Sequence, residues 1–441
     1  MTKKMFRIGL AGLGTVGSSV LRSLIQNQNT SLVTYGQNIE VVAVAARDRA
    51  KDRGVDVSHI RWYDHLIDLA QAEDVDCVVE LIGGADGPAL DVIQTALSHG
   101  KHVVTANKAL LAKHGLMLAK IAEDKRVALA FEASVAGGIP IIKTLREALT
   151  GNRVTRISGI LNGTCNYILS RMEQEGLTFD ACLMDAQRLG YAEADPTFDI
   201  EGFDSAHKLC ILASLAFGCE IDAEGVRVEG ITKITPFDLK MAEELGFRIK
   251  LLGVAEISAH GLEQRVQPTM VHKNSVLSGV MGVTNAVTLC ADMVGELTLV
   301  GAGAGGDATA SAVLADIFDV VCGRVVQPFG IPVRLLSPEK RAATQNHEGG
   351  FYIRLSVYDR PGVAAKVTQH MAEQGISLES ILQRRDEEAA RIDPTGRSGA
   401  PVPVVLITYA TTEEAVRKAL HKMVEEKLLT EQPLLVRIDR T

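Results

Sequence analysis

Residues 9–17 read GLAGLGTVG, and this stretch decides the predicted fold of the N-terminal part of the chain. It ends an apolar run that is typical of a buried strand, and it opens a helical pattern over residues 16–28. Glycines allow a tight turn and a close backbone approach, and the start of the following helix attracts a pyrophosphate. The pattern therefore predicts a dinucleotide site, with a purely structural turn as the alternative. The predicted cofactor contacts in this turn are Gly12, Gly14, Thr15, Val16 and Gly17.

Short apolar runs alternate with helical patterns over residues 1–145. After the first strand, further strands are predicted at residues 40–46, 76–83, 101–107 and 126–133, with helices between them. Strands that alternate with helices form parallel βαβ units. The sequence thus predicts an α/β fold that begins with a Rossmann-type dinucleotide-binding domain.

The pattern changes after residue 145. Residues 146–300 combine one strand, several helices and a strand-rich part, which predicts a second, mixed α/β domain. Residues 301–321 read as a glycine turn and a long helix, so we expect residues 301–328 to complete the first domain. Residues 329–349 are polar and irregular, as in a linker. Residues 350–441 follow the order βαββαβ, a ferredoxin-like module.

Composition indicates a soluble, cytoplasmic, multidomain enzyme. The chain has 441 residues, 46% of them hydrophobic, and a formal net charge of -8 without a stripe of basic residues, which argues against nucleic-acid binding. Its seven cysteines form no C-x-x-C pair, as expected for reduced thiols. The sequence offers no secretory signal and no apolar span of membrane length.

Basic residues follow the second predicted strand, where NAD enzymes usually carry an acid for the ribose 2′-hydroxyl. Arg47 ends this strand and Lys51 follows it. A planar guanidinium suits a 2′-phosphate, so NADP(H) is predicted over NAD(H), with Arg47 and Lys51 on the phosphate. Asp48 is the competing candidate that would favour NAD(H).

An acid-rich stretch, YAEADPTFDIEGFDSAHK over residues 191–208, leads into an apolar helix. Asp204 and Lys208 are four residues apart and share a helix face. A partly buried ammonium with such a partner suits proton transfer, which hydride transfer to a carbonyl requires. Glu193 and Asp199 could bind a cationic substrate group. A surface ion pair in a solvated loop is the alternative, and the spacing does not favour a divalent metal.

Six segments in order resemble homoserine dehydrogenases over about residues 5–330. They are GLGTVG, TANKAL, EASVAGGIP, GILNGTCNYIL, YAEADPTFDIEGFDSAHKLCILA and GAGAGGDATASAVLADI. The resemblance implies interconversion of L-homoserine and L-aspartate 4-semialdehyde with a nicotinamide cofactor. That reaction belongs to the biosynthesis of threonine, methionine and isoleucine.

The resemblance also implies residue roles. Lys208 would be the proton donor, with Asp204 beside it, while Glu193 and Asp199 would bind the amino acid. Lys108, the third catalytic candidate beside Lys208 and Asp204, would lie between cofactor and substrate. Gly163 would border the nicotinamide and the substrate, and Gly303 the cofactor. The segment EASVAGGI resembles a loop that holds Na⁺ or K⁺ as a structural ion. Its ligands would be Glu132 and the carbonyl groups of Val135, Gly137 and Ile139.

The C-terminal module, with Asp359-Arg360-Pro361-Gly362 after its first strand, resembles an ACT domain. This resemblance implies feedback inhibition by threonine and pairing into a homodimer or homotetramer, with residues 146–300 also serving dimerisation. Two alternatives stay open at this point. One is another lysine-dependent hydroxyacid dehydrogenase, and the other is a non-catalytic NADP-binding regulator that senses amino acids.

Overall fold

A six-stranded parallel sheet forms the N-terminal part of the computed structural model, which describes residues 5–26, 38–258, 260–342, 348–358, 360–383 and 401–440. Its spatial order is β3-β2-β1-β4-β5-β6, which confirms the doubly wound, Rossmann-type arrangement. The elements are β1 (Met5–Ala11), α1 (Thr15–Gln26), β2 (Asn38–Ala45), β3 (Arg61–Tyr63), α2 (Leu66–Gln71), β4 (Cys77–Glu80), α3 (Pro88–Ser98), β5 (His102–Thr105), α4 (Lys108–Lys125) and β6 (Leu129–Ala130).

Two parts of this sheet differ from the sequence-based expectation. The short edge strand β3 and helix α2 were not predicted, because three partly exposed residues, RWY, carry no apolar periodicity. The last strand, expected over residues 126–133, is only the two residues of β6. It ends early because the chain bends into a 3₁₀ turn at Glu132–Ser134.

The glycine turn between β1 and α1 has no room for side chains. Gly12 has a φ of 105°, and a Cβ there would lie 2.7 Å from the carbonyl oxygen of Leu81. A Cβ on Gly17 would lie 2.1 Å from the carbonyl oxygen of Gly12. The turn is therefore packed against the end of β4, where the strand order of the sheet reverses and ligands bind in such folds.

A second sheet of eleven strands is formed by residues 154–439. Along its main path the order is β12-β11-β7-β9-β10-β17-β13-β15-β14, in which β13 to β17 lie within residues 348–439. The elements from residue 141 to residue 302 are α5 (Ile141–Lys143), β7 (Val154–Ile160), α6 (Gly163–Glu175), α7 (Phe179–Arg188), α8 (Thr197–Ile200), α9 (Phe203–Phe217), β8 (Arg227–Val228), α10 (Pro236–Glu244), β9 (Phe247–Ser258), β10 (Gly261–His272), β11 (Thr284–Ala291) and β12 (Gly295–Ala302).

Helix α11 (Gly306–Val321) returns to the N-terminal domain. Its residues Val313 and Ile317 lie in one buried cluster with Val20 and Leu21 of α1. The segment predicted as a linker, residues 329–349, packs against the protein in its described part, since Phe329 and Leu336 are buried. It includes a 3₁₀ turn at Val333–Leu335.

The C-terminal module has the predicted βαββαβ order. Its elements are β13 (Glu348–Tyr358), α12 (Val363–Glu373), β14 (Leu378–Gln383), β15 (Pro401–Thr408), the two-residue β16 (Thr411–Thr412), α13 (Glu413–Glu425) and β17 (Leu434–Asp439). Strand β17 pairs in parallel with β10, so the module extends the sheet of the second domain. Asp359 of the predicted ACT signature lies outside the described residues.

Strand β13 of the C-terminal module packs on helix α10 through the side chains of Tyr352 and Arg354. Tyr352 donates a hydrogen bond of 2.8 Å to the buried carboxylate of Asp238. Arg354 donates to the hydroxyl of Thr235, which caps α10, at 3.0 Å. The module is thus attached through both a strand edge and a sheet face. In the described part of the chain, no helix combines the length and the apolar character needed to cross a membrane.

Candidate active site

Asp204 lies between two lysines, and each of its carboxylate oxygens contacts one of them. Oδ2 lies 2.7 Å from Nζ of Lys208, one turn further along α9. Oδ1 lies 3.0 Å from Nζ of Lys108, the first residue of α4. Asp204 and Lys208 are buried, whereas the side chain of Lys108 is 36% exposed. The structure therefore brings together the three residues that were predicted as catalytic.

Lys108 is fixed at the carboxyl edge of the parallel sheet. Asn107 caps α4, since its Oδ1 accepts from the amide of Leu110 at 3.1 Å, and its Nδ2 donates to the carbonyl of Gly84 at 2.7 Å. At the neighbouring strand end, the buried Glu80 accepts from the hydroxyl of Thr105 at 2.6 Å. These bonds join the loops after β4 and β5, where a nicotinamide would lie in a Rossmann-type fold.

Asn162 joins the acidic residues and was missed by the sequence analysis. Its Nδ2 donates to Asp199 and to Asp204, at 2.9 Å in both cases. Its Oδ1 caps α6 by accepting from the amide of Cys165 at 2.8 Å. An Asn before an apolar helical run signals an N-cap, but this signal does not reveal bonds to residues about 40 positions away.

Asp199 has a second partner in Thr164, whose hydroxyl lies 3.1 Å from Asp199 Oδ2 and 2.7 Å from the carbonyl oxygen of Tyr191. Glu193 is exposed and makes no side-chain hydrogen bond to the residues around Asp204, although its charge helps to raise the pKa of Lys108. Gly163 opens α6, and a Cβ there would lie 2.8 Å from the carbonyl oxygen of Val283.

The two lysines are held in different protonation environments. Burial lowers the pKa of Lys208, and the nearby positive charge of Lys108 adds to this effect, while Asp204 opposes it. For Lys108, burial lowers the pKa, but the charge and hydrogen bond of Asp204, together with the charges of Asp199 and Glu193, more than offset this effect, so its pKa is raised. Burial alone would raise the pKa of Asp204, but the two lysines hold it far below the usual range. Asp204 is therefore ionised, and Lys208 is the stronger acid of the two ammonium groups.

A cavity of about 670 Å³ lies against the glycine turn. Gly12, Gly14, Arg47 and Lys51 line it, as predicted for the adenosine end of a dinucleotide. Thr15, Val16 and Gly17, at the start of α1, do not line this cavity, and Gly303 is packed between Asn285 and Gly137 outside it.

Trp62 on β3 also lines the cavity and was missed by the sequence analysis. The guanidinium groups of Arg49 and Arg53 lie 5.7 and 5.4 Å from the centre of its ring. Arg53 is folded onto the loop and donates to the carbonyl of Leu13 at 3.3 Å. The sequence did not indicate Trp62 as a cavity residue, because β3 has only three residues and shows no strand periodicity.

The segment that resembles a cation loop contains the buried carboxylate of Glu132, which lies near the buried carboxylate of Asp316 in α11; Oδ1 of Asp316 is 3.7 Å from Nζ of Lys143. Glu132 accepts from the amides of Ile142 and Lys143, both at 2.8 Å. Burial, followed by the charge of Asp316, raises the pKa of Glu132 to about 7. Asp316 accepts from the amide of Glu132 through Oδ2, while its buried Oδ1 makes no hydrogen bond. The described residues include no group of three or more His, Cys, Asp or Glu side chains that could hold a metal ion.

Three family models match the chain. The model "Homoserine dehydrogenase, NAD binding domain" matches residues 12–132, "Homoserine dehydrogenase" matches residues 140–318, and "ACT domain" matches residues 351–424. The chain is 42% identical over 426 residues to a homoserine dehydrogenase of Pseudomonas aeruginosa, with 95% of both chains covered.

Solved structures agree with these matches. The crystal structure of a homoserine dehydrogenase from Thiobacillus denitrificans superposes with a TM-score of 0.91 and 40% identity, and 99% of both chains is covered. A hyperthermophilic archaeal homoserine dehydrogenase, solved in complex with NADPH, shares the fold at 24% identity and a TM-score of 0.64. That likeness covers 74% of this chain and 100% of the archaeal one.

The role of Asn162 can be tested with Asn162→Asp, which keeps the helix cap but replaces two donated hydrogen bonds by a third carboxylate. We expect the free energy of unfolding near pH 7.5 to fall by roughly 3 kcal/mol. Burial and the charge of Asp204 already raise the pKa of Asp199, and a third carboxylate raises it further. The penalty is therefore complete above that raised pKa and shrinks as the pH falls towards the ordinary value for aspartate.

Denaturant unfolding at pH 7.5 and pH 5 measures this effect. The matched control is Asn152→Asp, because Asn152 only accepts a hydrogen bond from the amide of Val294, which an aspartate can also do. The interpretation is wrong if Asn162→Asp and the control lose equal stability, or if the loss does not depend on pH.

Proposed function

The chain belongs to the homoserine dehydrogenase family, and we propose that it interconverts L-homoserine and L-aspartate 4-semialdehyde, with Lys208 as the proton donor and acceptor. Family membership makes it a nicotinamide-dependent oxidoreductase and sets aside a non-catalytic regulator. The observation that supports the role of Lys208 best is the contact of Asp204 with both lysines. An ammonium group with a lowered pKa, close to the acids proposed to bind the amino acid, supports this role.

A bound reduced nicotinamide would supply the hydride for the carbonyl carbon of the semialdehyde. As negative charge develops on the carbonyl oxygen, Lys208 gives a proton to it and becomes neutral. Its lowered pKa favours this step, because a donor works best when its pKa is near the working pH. In the reverse direction neutral Lys208 accepts the hydroxyl proton of homoserine.

The other polar residues bind and orient the substrate in this proposal. Asp199 and Glu193 supply negative charge for the substrate ammonium group. Lys108 stays charged, because Asp204 raises its pKa, and it lies between the two domains, where it can contact both substrate and cofactor. Gly163, at the start of α6, is proposed to border the nicotinamide and the substrate with its backbone.

The proton-transfer role is tested by Lys208→Ala. We expect kcat for reduction of aspartate 4-semialdehyde to fall by about 10²- to 10⁴-fold, the typical contribution of general acid catalysis. NADPH binding, followed by fluorescence, should change little. Lys233→Ala, at an exposed lysine of the same domain, is the control and should behave as wild type. A folded Lys208→Ala variant with nearly full kcat would exclude the proton-donor role.

The preference for NADP(H) is proposed from the basic loop after β2. Arg47 and Lys51 are exposed and line the cavity beside the glycine turn. Trp62 lines the same cavity and offers an aromatic surface. A 2′-phosphate would meet two cationic side chains there. Asp48, the competing candidate, also lines the cavity, but its carboxylate accepts a hydrogen bond from the amide of Ala50.

Arg47→Ala tests this preference. We expect the KM for NADPH to rise by about 10- to 100-fold, because a hydrogen bond to a charged group contributes about 1.5–3 kcal/mol. The KM for NADH should stay within about twofold of wild type, as NADH has no 2′-phosphate. Arg61→Ala, at a residue paired with Asp74, is the matched control. Equal effects on both cofactors would contradict the assignment.

A structural monovalent cation is proposed at Glu132 and the carbonyl groups of Val135, Gly137 and Ile139. Oxygen-only ligands suit Na⁺ or K⁺. The buried carboxylates of Glu132 and Asp316 fit such an ion, because a nearby positive charge would offset the burial that raises the pKa of both groups. The carbonyl of Ile139 already accepts from the amide of Ile141 at 2.8 Å and would use its second lone pair.

Thermal unfolding tests the cation site without an activity assay. A ligand that binds only the folded state raises Tm, so wild type should melt at a higher temperature in NaCl or KCl than in choline chloride of equal ionic strength. Glu132→Gln should abolish this difference, and Glu147→Gln, at a half-exposed carboxylate, should keep it. Equal wild-type Tm values in the three salts would exclude the site.

Regulation and assembly are proposed from the ACT domain. Threonine, the end product of the pathway, is proposed to inhibit the enzyme through this module, and the chain is proposed to form a homodimer or homotetramer. Adding threonine to the NADPH assay tests inhibition, and light scattering measures the assembly. Activity that is unchanged at saturating threonine, or a monomeric mass, would contradict the respective proposal.

A further inference from the structure

A buried ionic cluster joins the ACT domain to the substrate domain. Glu413, the first residue of α13, is 2% exposed and accepts hydrogen bonds from Arg437 at 2.7 Å and from Arg417 at 2.6 Å. Its Oε1 also lies 2.6 Å from Nη1 of Arg227 in β8. Glu413 therefore contacts three guanidinium groups, of which one belongs to the substrate domain.

Among the described residues, the cluster contains equal numbers of positive and negative side chains, and several of its ion pairs join the ACT domain to the substrate domain. Arg437 of the ACT domain lies 3.3 Å from Glu263 in β10, and Asp439 lies 2.8 Å from Arg156 in β7. Removing one member of such a buried set leaves an uncompensated charge. Its members are Arg156, Arg227, Arg265, Arg417, Arg437, Glu229, Glu256, Glu263, Glu413 and Asp439.

The short strand β8 is held by this cluster on both sides of Val228. Arg227 pairs with Glu413 and, at 2.6 Å, with Glu229. Glu229 lies in turn 3.1 Å from Arg417 of the ACT domain. The backbone of residues 227–229 follows β10, since the amide of Glu229 donates to the carbonyl of Val266 at 2.8 Å. The position of β8 thus depends on side chains of α13.

The segment at β8 packs directly on the helices that carry the acidic site residues. A Cβ on Gly202, which precedes α9, would lie 3.1 Å from Cγ1 of Val228. A Cβ on Gly230 would lie 2.5 Å from the carbonyl oxygen of Ile200, and the amide of Ile231 donates to that oxygen at 2.9 Å. At both glycines the segment at β8 is in close contact with the end of α8 and the start of α9. A displacement of β8 would therefore move these two helix ends.

We infer that Glu413 is a positioning residue for Asp199, although it lies in the ACT domain and touches neither substrate nor cofactor. Ile200, whose carbonyl oxygen accepts from the amide of Ile231, follows Asp199 in α8. The inference rests on the proposed substrate-binding role of Asp199. Asp199 is held by Asn162 and Thr164, so a small shift of α8 changes the geometry that a substrate ammonium group meets.

Glu413→Gln tests the inference, because it keeps the shape of the side chain and removes its charge. We expect the KM for aspartate 4-semialdehyde to rise by about 3- to 30-fold, with kcat within about twofold of wild type. Binding energy that is shared by ground state and transition state changes KM alone. A residue with only a structural role would lower Tm without this separation of KM and kcat.

Two further variants keep the test decisive. Arg417→Gln removes a half-exposed partner of Glu413 and Glu229, so it should fold and should raise KM in the same direction. Glu414→Gln, at the next residue of α13, removes only an exposed pair with Lys418 and should match wild type. Folded Glu413→Gln and Arg417→Gln variants with wild-type KM overturn the inference, and so does a fall in kcat at constant KM. Failure of the proposed function would instead appear as full activity in Lys208→Ala.

Discussion

The carboxylate of Asp204 holds two ammonium groups at once, and the geometry of the site depends on this interaction. Lys108 belongs to the N-terminal domain and Lys208 to the substrate domain, so Asp204 also connects the two domains. Burying charged groups is unfavourable unless they are paired and hydrogen-bonded. Oδ2 of Asp204 also accepts a hydrogen bond from the side-chain amide of Asn162, which explains why an Asn lies at this buried position.

The same interaction gives two chemically identical side chains different properties. Pairs of titratable groups whose environments push their pKa values apart commonly divide a reaction between them. Lys208 is buried beside another cation, which lowers its pKa. Lys108 is partly exposed, and its pKa is raised because the combined effect of Asp204, Asp199 and Glu193 exceeds that of burial. This difference supports the proposed division of roles, in which Lys108 orients the substrate by its charge and Lys208 exchanges a proton.

The fold and the centre of the site could be predicted from the sequence because they depend on local patterns. The glycine turn, the alternation of strands and helices, and the spacing of Asp204 and Lys208 are all encoded within a few residues. Asn162 and Trp62 could not be found in this way. Asn162 matters through bonds to Asp199 and Asp204, which are distant in the chain, and Trp62 lies on a strand of three residues without periodicity.

The attachment of the ACT domain constrains how any ligand of that domain could act. The module shares a sheet with the substrate domain through β17 and β10, packs on α10 through Tyr352, and meets β8 through Glu413. A ligand shifts activity only if it binds two conformations unequally. A hinge between the modules would have to break strand pairing and buried ion pairs together. The less costly change is a small displacement of β8, which reaches Asp199 through one layer of backbone contacts.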